Sequence, residues 1–154
     1  MKLSLGPVIA IAGVVIVAAM AGGAWWWWTV NQEKLQDLGA AAFDEGRRTG
    51  ATLRESGCMD KAVERHRIAD NRSILGTVHT NLFFRACLDA SQPEAAFCEG
   101  VPAKGEMVAT GVWAGRQCLK AGFTDSYCGQ IFSQIPDYCA SPERAGKLKA
   151  AAKP

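Results

Sequence analysis

The chain opens on a long apolar run: between Lys2 and Glu33 there is no charged side chain. Read as a helix, Pro7 to Trp28 extends about 33 Å at about 1.5 Å per residue, enough to cross the apolar core of a bilayer. Trp25, Trp26, Trp27 and Trp28 stand at its far end. Indole suits a membrane–water interface, because the ring is apolar and its N–H stays near water. The pattern predicts a transmembrane anchor over 1–30. A cleaved signal peptide is the rival reading, from the basic start at Lys2 and the small residues Ala19 and Ala21. Cleavage there would leave the tryptophans on the mature surface, an aggregation hazard, so an uncleaved span is expected.

Past the span the apolar positions become periodic. Leu35, Leu38, Ala42, Gly46, Gly50 and Leu53 recur at helical spacing, and 31–57 reads as a connecting helix. Glycine costs a helix about 1 kcal/mol, so the small-residue stripe Ala42, Gly46 and Gly50 predicts close approach of another helix, read here as that of a partner subunit or a second copy. A loose linker helix is the alternative. Gly57 is expected to stop this helix and Asp60 to begin the next, through Arg67, with a turn at Asp70-Asn71. From Ser73, a helix with Ile74, Leu75, Val78, Leu82, Phe83 and Leu88 on its apolar face is expected.

Ser91 with Glu94 three residues on resembles a capping box. Gly100 to Gly105 reads as a loop. A helix from Glu106 to Lys120 should place Met107, Gly111, Ala114 and Cys118 on one face, with Ala121-Gly122 ending it. Thr124 or Asp125 can cap a helix to Gln134, and Pro136 should stop that one. No segment alternates at period two for long enough to be a strand. The expectation is all-α: an N-terminal transmembrane helix and a stapled helical domain over 58–140.

The domain carries an internal likeness. Arg85-Ala86-Cys87-Leu88-Asp89-Ala90 precedes Phe97-Cys98 as Arg116-Gln117-Cys118-Leu119-Lys120-Ala121 precedes Tyr127-Cys128. Each unit reads as helix, turn, helix. The spacing of these four cysteines is similar to the twin Cys-x9-Cys hairpins of small mitochondrial proteins, with ten intervening residues in the first unit, a likeness of architecture only. A turn in each unit would let Cys87 meet Cys98 and Cys118 meet Cys128, leaving Cys58 with Cys139. Six cysteines admit fifteen pairings, and this one is preferred, not deduced.

With no Cys-x-x-Cys pair, the cysteines suit structural disulfides, which persist in oxidising compartments. That places the N-terminus in the cytoplasm and the domain in the periplasm or outside the cell, with the inner membrane as the bacterial case. Residues 29–140 hold twelve basic against fourteen acidic side chains, interspersed, so no stripe tracks a nucleic-acid backbone. Residues 141–154 hold Arg144, Lys147, Lys149 and Lys153 against Glu143, and a solvated, flexible basic tail is expected, with contact to anionic lipid as the alternative.

Neither histidine has a cysteine at ligand spacing, so no metal or cofactor site is expected. His79 shares a stripe with Leu75 and Phe83 and should be a core or boundary residue. His66, between Arg65 and Arg67, should face solvent. No nucleophile has an identifiable base, and no small-molecule substrate is suggested. The expected function is an accessory or scaffold subunit of a larger membrane assembly, partnered by the membrane and by other subunits or itself. A tethered module binding a protein, peptide or wall component is the alternative, and an enzyme is the least favoured.

Overall fold

A computed structural model of the protein describes residues 5–68 and 72–153, which form an all-helical chain. It divides into two compact units, Met1–Asp37 and Leu38–Pro154. The first helix, α1 (Leu5–Gly50), belongs to both. Its apolar part is long and hydrophobic enough to cross a membrane, and is the one candidate span among the described residues. Within that part Trp25, Trp26, Trp27 and Trp28 are all exposed, and Thr29 and Asn31 donate side-chain hydrogen bonds to the carbonyls of Trp26 and Trp27.

In the second unit α1 runs to Gly50, where the backbone turns through Ala51–Arg54 and helix resumes as α2 (Glu55–Arg67). The expected stop at Gly57 and restart at Asp60 are therefore corrected: both residues lie inside α2. The reason is a cap supplied from afar. Arg54 gives the N-terminus of α2 no side-chain acceptor, but the Ser56 N–H donates to Glu94 Oε2 at 2.7 Å. Glu94 thus caps a distant helix and makes no local capping box; Ser91 instead donates its hydroxyl to the Leu88 carbonyl.

Ser73 caps α3 (Ile74–Ala90) by accepting from the Gly76 N–H. The face α3 buries differs from the expected one. Thr77, Thr80, Phe83, Phe84, Ala86, Cys87 and Leu88 are buried, whereas Ile74, Leu75, Val78 and Leu82 are exposed. What turns the helix is its packing on α1. A Cβ on Gly46 would overlap the Phe83 carbonyl oxygen and stand 2.9 Å from Ala86 Cβ, and one on Gly50 would overlap the Cys87 backbone. Ala42 is wholly buried. The small-residue stripe is thus corrected from a subunit contact to a contact inside the domain, made to α3.

After α3 the chain passes through a 3-10 turn (Ala95–Cys98), then α4 (Met107–Lys120), two short helices α5 (Cys128–Phe132) and α6 (Ile135–Cys139), and α7 (Pro142–Ala151). Gly100, Gly105 and Gly122 take positive φ at the loop and at the end of α4, conformations that L side chains resist. Pro136 opens α6 rather than only ending what precedes it, since its missing N–H is one that a helix start leaves unpaired anyway. α4 buries Ala114 and Cys118, but Met107 and Gly111 are exposed, against expectation. The core gathers Phe83, Phe84, Leu88, Ile131, Phe132, Ile135 and Tyr138 between α3, α5 and α6.

All six cysteines are bridged, as Cys58–Cys87, Cys98–Cys139 and Cys118–Cys128. Only the last matches the preferred pairing; Cys87–Cys98 and Cys58–Cys139 are corrected. Ser91 leaves α3 in extended conformation, the Gln92 carbonyl accepts from Glu55 N–H, and the Glu94 N–H donates to Glu55 Oε2. The segment is thereby held on α2 and carries Cys98 away from Cys87. The two similar sequence units accordingly do not share a fold: one ends in a 3-10 turn bridged to α6, the other in α5 bridged to α4.

The basic tail is helical. Ser141 caps α7 through the Arg144 N–H, Pro142 opens it, and Arg144 is buried. This overturns the flexible reading for the segment up to Ala151.

Candidate docking surface

Four features of the second unit have the chemistry or shape of a site, and the first is its cluster of buried charges. Glu55 is fully buried and accepts from Tyr138 Oη at 2.7 Å, from Arg144 Nε at 2.8 Å and Nη2 at 3.1 Å. Lys147 Nζ donates to the Leu88 and Ser91 carbonyls and to Tyr138 Oη at 2.6, 2.9 and 2.8 Å. Burial, and then the Glu55 carboxylate, push the Tyr138 phenol far up, so it stays protonated. Burial likewise lowers the Lys147 ammonium, opposed by Glu55 and Asp89. These hydrogen bonds lock α7 to α2 and α3.

His66 is also fully buried, which corrects the solvated placement. Its Nε2 lies 3.0 and 3.1 Å from the two Asp125 oxygens, and its ring meets Phe123 edge-on at 4.8 Å. Burial raises the Asp125 carboxyl, but hydrogen bonds from His66 and from the Cys128 and Tyr127 N–H groups outweigh it and hold it below its ordinary range. Asp125 is therefore the cap of α5. His79 is half-buried, with Nδ1 3.0 Å from Arg65 Nη2, while Arg65 pairs with Glu45 at 2.6 Å and lies over the Phe83 ring. No group of three His, Cys, Asp or Glu residues among the described ones is arranged to hold a metal.

The third feature is α4, which is apolar on both sides. Its inner side buries Ala114 and Cys118 and sets Trp113 edge-on to Phe132 at 6.2 Å. The Cys118–Cys128 bridge ties its last turn to α5. At 100° per residue, Val108, Val112, Gly115 and Leu119 share one flank, roughly 100–160° round from Ala114. Val108 is 83% exposed and Leu119 67%. Gly111 and Gly115 have nothing within 4 Å of a Cβ, whereas Gly46 and Gly50, at the same spacing, are filled by α3.

The fourth feature is a groove of about 520 Å³ between the Ala114 side of α4 and the α5–α6 turn, with Met107, Gly111, Ala114, Gly129 and Pro136 along it. Lys104 and Asp137 pair across its rim at 3.5 Å. A smaller groove of about 330 Å³ lies on the other flank of α4, against Met59, Phe97, Val101 and Trp113.

No protein-family profile, no curated protein and no solved structure matches this chain.

Within the second unit the stripe at Ala42, Gly46 and Gly50 packs on α3 and takes no part in this surface, and of the cysteines Cys118 and Cys128 tie α4 to α5. Glu55, Tyr138, Arg144 and Lys147 carry no signal of their structural role in the sequence. Their partners are 83 and 89 residues away in the Glu55 contacts with Tyr138 and Arg144, beyond any local pattern. The exposed face of α4 was missed as well: the sequence set Met107, Gly111, Ala114 and Cys118 on one face, and only the helical spacing of Val108, Val112 and Leu119 carries a signal for the other.

Proposed function

We propose that the protein is a membrane-anchored accessory subunit whose stapled domain, on the oxidising side of the membrane, docks another protein of the same membrane through α4. The observation carrying this is the double-faced helix: α4 supplies the core from one side and leaves Val108, Val112 and Leu119 in solvent on the other. A run of exposed apolar residues along one helix, edged by the charged Arg116 and Lys120, has the character of a protein–protein contact. The apolar part of α1 serves as the anchor, with Trp25 to Trp28 at the interface and the N-terminus in the cytoplasm. The cysteine bridges support the oxidising compartment.

The α4 groove favours a second reading, a tethered module that grips an extended peptide; its length, small floor residues and single ion pair fit a backbone with modest side chains. A photocrosslinker separates the two. With p-benzoylphenylalanine at Val112 in native membranes, docking predicts one discrete adduct of fixed mass. The same label at Gln130, inside the groove, should stay unreacted. Adducts at Gln130 alone would favour the peptide reading, and none at either position would remove both.

A further inference from the structure

The end of the domain at which the chain enters from α1 has a surface chemistry of its own. Gly46 meets Phe83 and Gly50 meets Cys87, so α1 and α3 run in the same direction here, and Ile74 lies about 13 Å back toward the point of entry at about 1.5 Å per residue. α2 runs the other way against α3, since Cys58 is bridged to Cys87 while Arg65 contacts His79. Ile68, the residue that follows α2, therefore returns to the end of the domain where α3 starts. The end of α4 joins them, because Arg67 Nη2 donates to the Ala121 carbonyl at 3.0 Å. Three elements thus meet at one end, where Ile68, Ile74 and Leu75 are all exposed, with Ile74 at 71% and Leu75 at 68%. Arg67, Arg72 and Lys120 stand among them and are exposed as well.

The geometry points to this end of the domain as a membrane-contact surface that lies on the interfacial layer of the bilayer crossed by the chain's own span. The inference rests on the anchored reading above. Two observations choose lipid as the occupant. The first is the tether: only nine residues lie between Trp28 and Leu38, a reach of about 15 Å as helix and about 35 Å at full extension, so the entering end cannot leave the vicinity of the interface. The second is composition. Branched apolar side chains interspersed with arginine and lysine suit a layer that is apolar below and anionic above, where long basic side chains reach the headgroups.

The test uses the full chain in nanodiscs of phosphatidylethanolamine and phosphatidylglycerol, carrying p-benzoylphenylalanine at one position at a time and read by mass spectrometry after illumination. Ile16→p-benzoylphenylalanine reports the span, Leu75→p-benzoylphenylalanine the proposed surface, and Val108→p-benzoylphenylalanine the far end of α4. A non-reduced peptide map showing three intact bridges verifies the fold of each variant. Lipid adducts at positions 16 and 75 but not 108 are expected. Adducts at 16 without any at 75 would overturn the contact surface and leave the anchor standing. Adducts from 75 to a second copy of the chain would overturn it in favour of a protein interface. No lipid adduct at 16 would overturn the anchor, and this inference with it.

Discussion

Arg144 on α7 grips both carboxylate oxygens of Glu55, the first residue of α2, at 2.8 and 3.1 Å across 89 positions of sequence. Both side chains are buried, so each charge depends on the other for the hydration it has lost. Arg144→Met should strip Glu55 of its countercharge and destabilise the domain by about 3–5 kcal/mol, the usual cost of breaking a buried pair. Urea denaturation followed by near-UV circular dichroism measures it. A loss no larger than that of an exposed substitution such as Lys149→Met would show that α7 is dispensable to the fold.

Bulk in the small-residue stripe should now act on the domain itself. Gly46→Leu raises helix propensity by about 0.8–1 kcal/mol, yet its side chain would occupy the place of the Phe83 carbonyl, and overpacking typically costs about 1–3 kcal/mol. A lower melting temperature is expected, and also for Gly50→Ala. Gly39→Ala is the matched comparison: its Cβ would meet only Leu82 Cδ1, at 3.6 Å, and should be neutral or stabilising.

Stability should fall in mild acid through His79. Burial first, and then the Arg65 guanidinium, lower its affinity for protons, with Glu45 opposing. The unfolded chain takes up a proton near the ordinary value of 6.5, and the folded one resists. The stability held by His79 is thus complete above that value and is lost as the pH falls through it. His79→Gln should flatten the decline in unfolding free energy between about pH 7 and 5.5. An unchanged slope would assign the acid sensitivity elsewhere.

The three bridges should rank by the loops they close. Sequence separations of 41, 29 and 10 residues correspond to about 4, 3.6 and 2.7 kcal/mol in the chain-entropy model. Paired serine substitutions should therefore cost most at Cys98 and Cys139 and least at Cys118 and Cys128, read from denaturant midpoints at constant m-value.

The parts of this fold written in neighbouring residues could be read from the sequence. The Ser73 cap, the cap of α5 by Asp125, the glycine end of α4 and the apolar part of α1 each depend on a few adjacent positions. The Cys118–Cys128 bridge does too. What escaped was decided by contacts across the chain. Whether Ile74 or Thr77 faces inward depends on Gly46 and Gly50 fitting α3. The place of Cys98 depends on Glu55 holding the segment after Ser91, and Arg144 reads as a tail residue until Glu55 is known to be buried. On α4 the face read from the sequence was half right, with Ala114 and Cys118 buried but Met107 and Gly111 exposed, because a spacing alone does not tell which side of a helix is covered.

The order of the bridges along the chain has a bearing on biosynthesis. Cys58 and Cys87 are consecutive cysteines, whereas the Cys98–Cys139 bridge encloses Cys118–Cys128. A polypeptide oxidised as it emerges N-terminus first would close Cys58–Cys87 correctly and then present Cys98 and Cys118 together, an unwanted couple, well before Cys139 arrives. Reaching the native arrangement from that state takes thiol–disulfide exchange through a mixed-disulfide intermediate. Maturation of this small domain would then lean on an isomerase as well as an oxidase, and cells lacking the isomerase should accumulate a Cys98–Cys118 isomer in which the last turn of α4 is tied to the wrong neighbour.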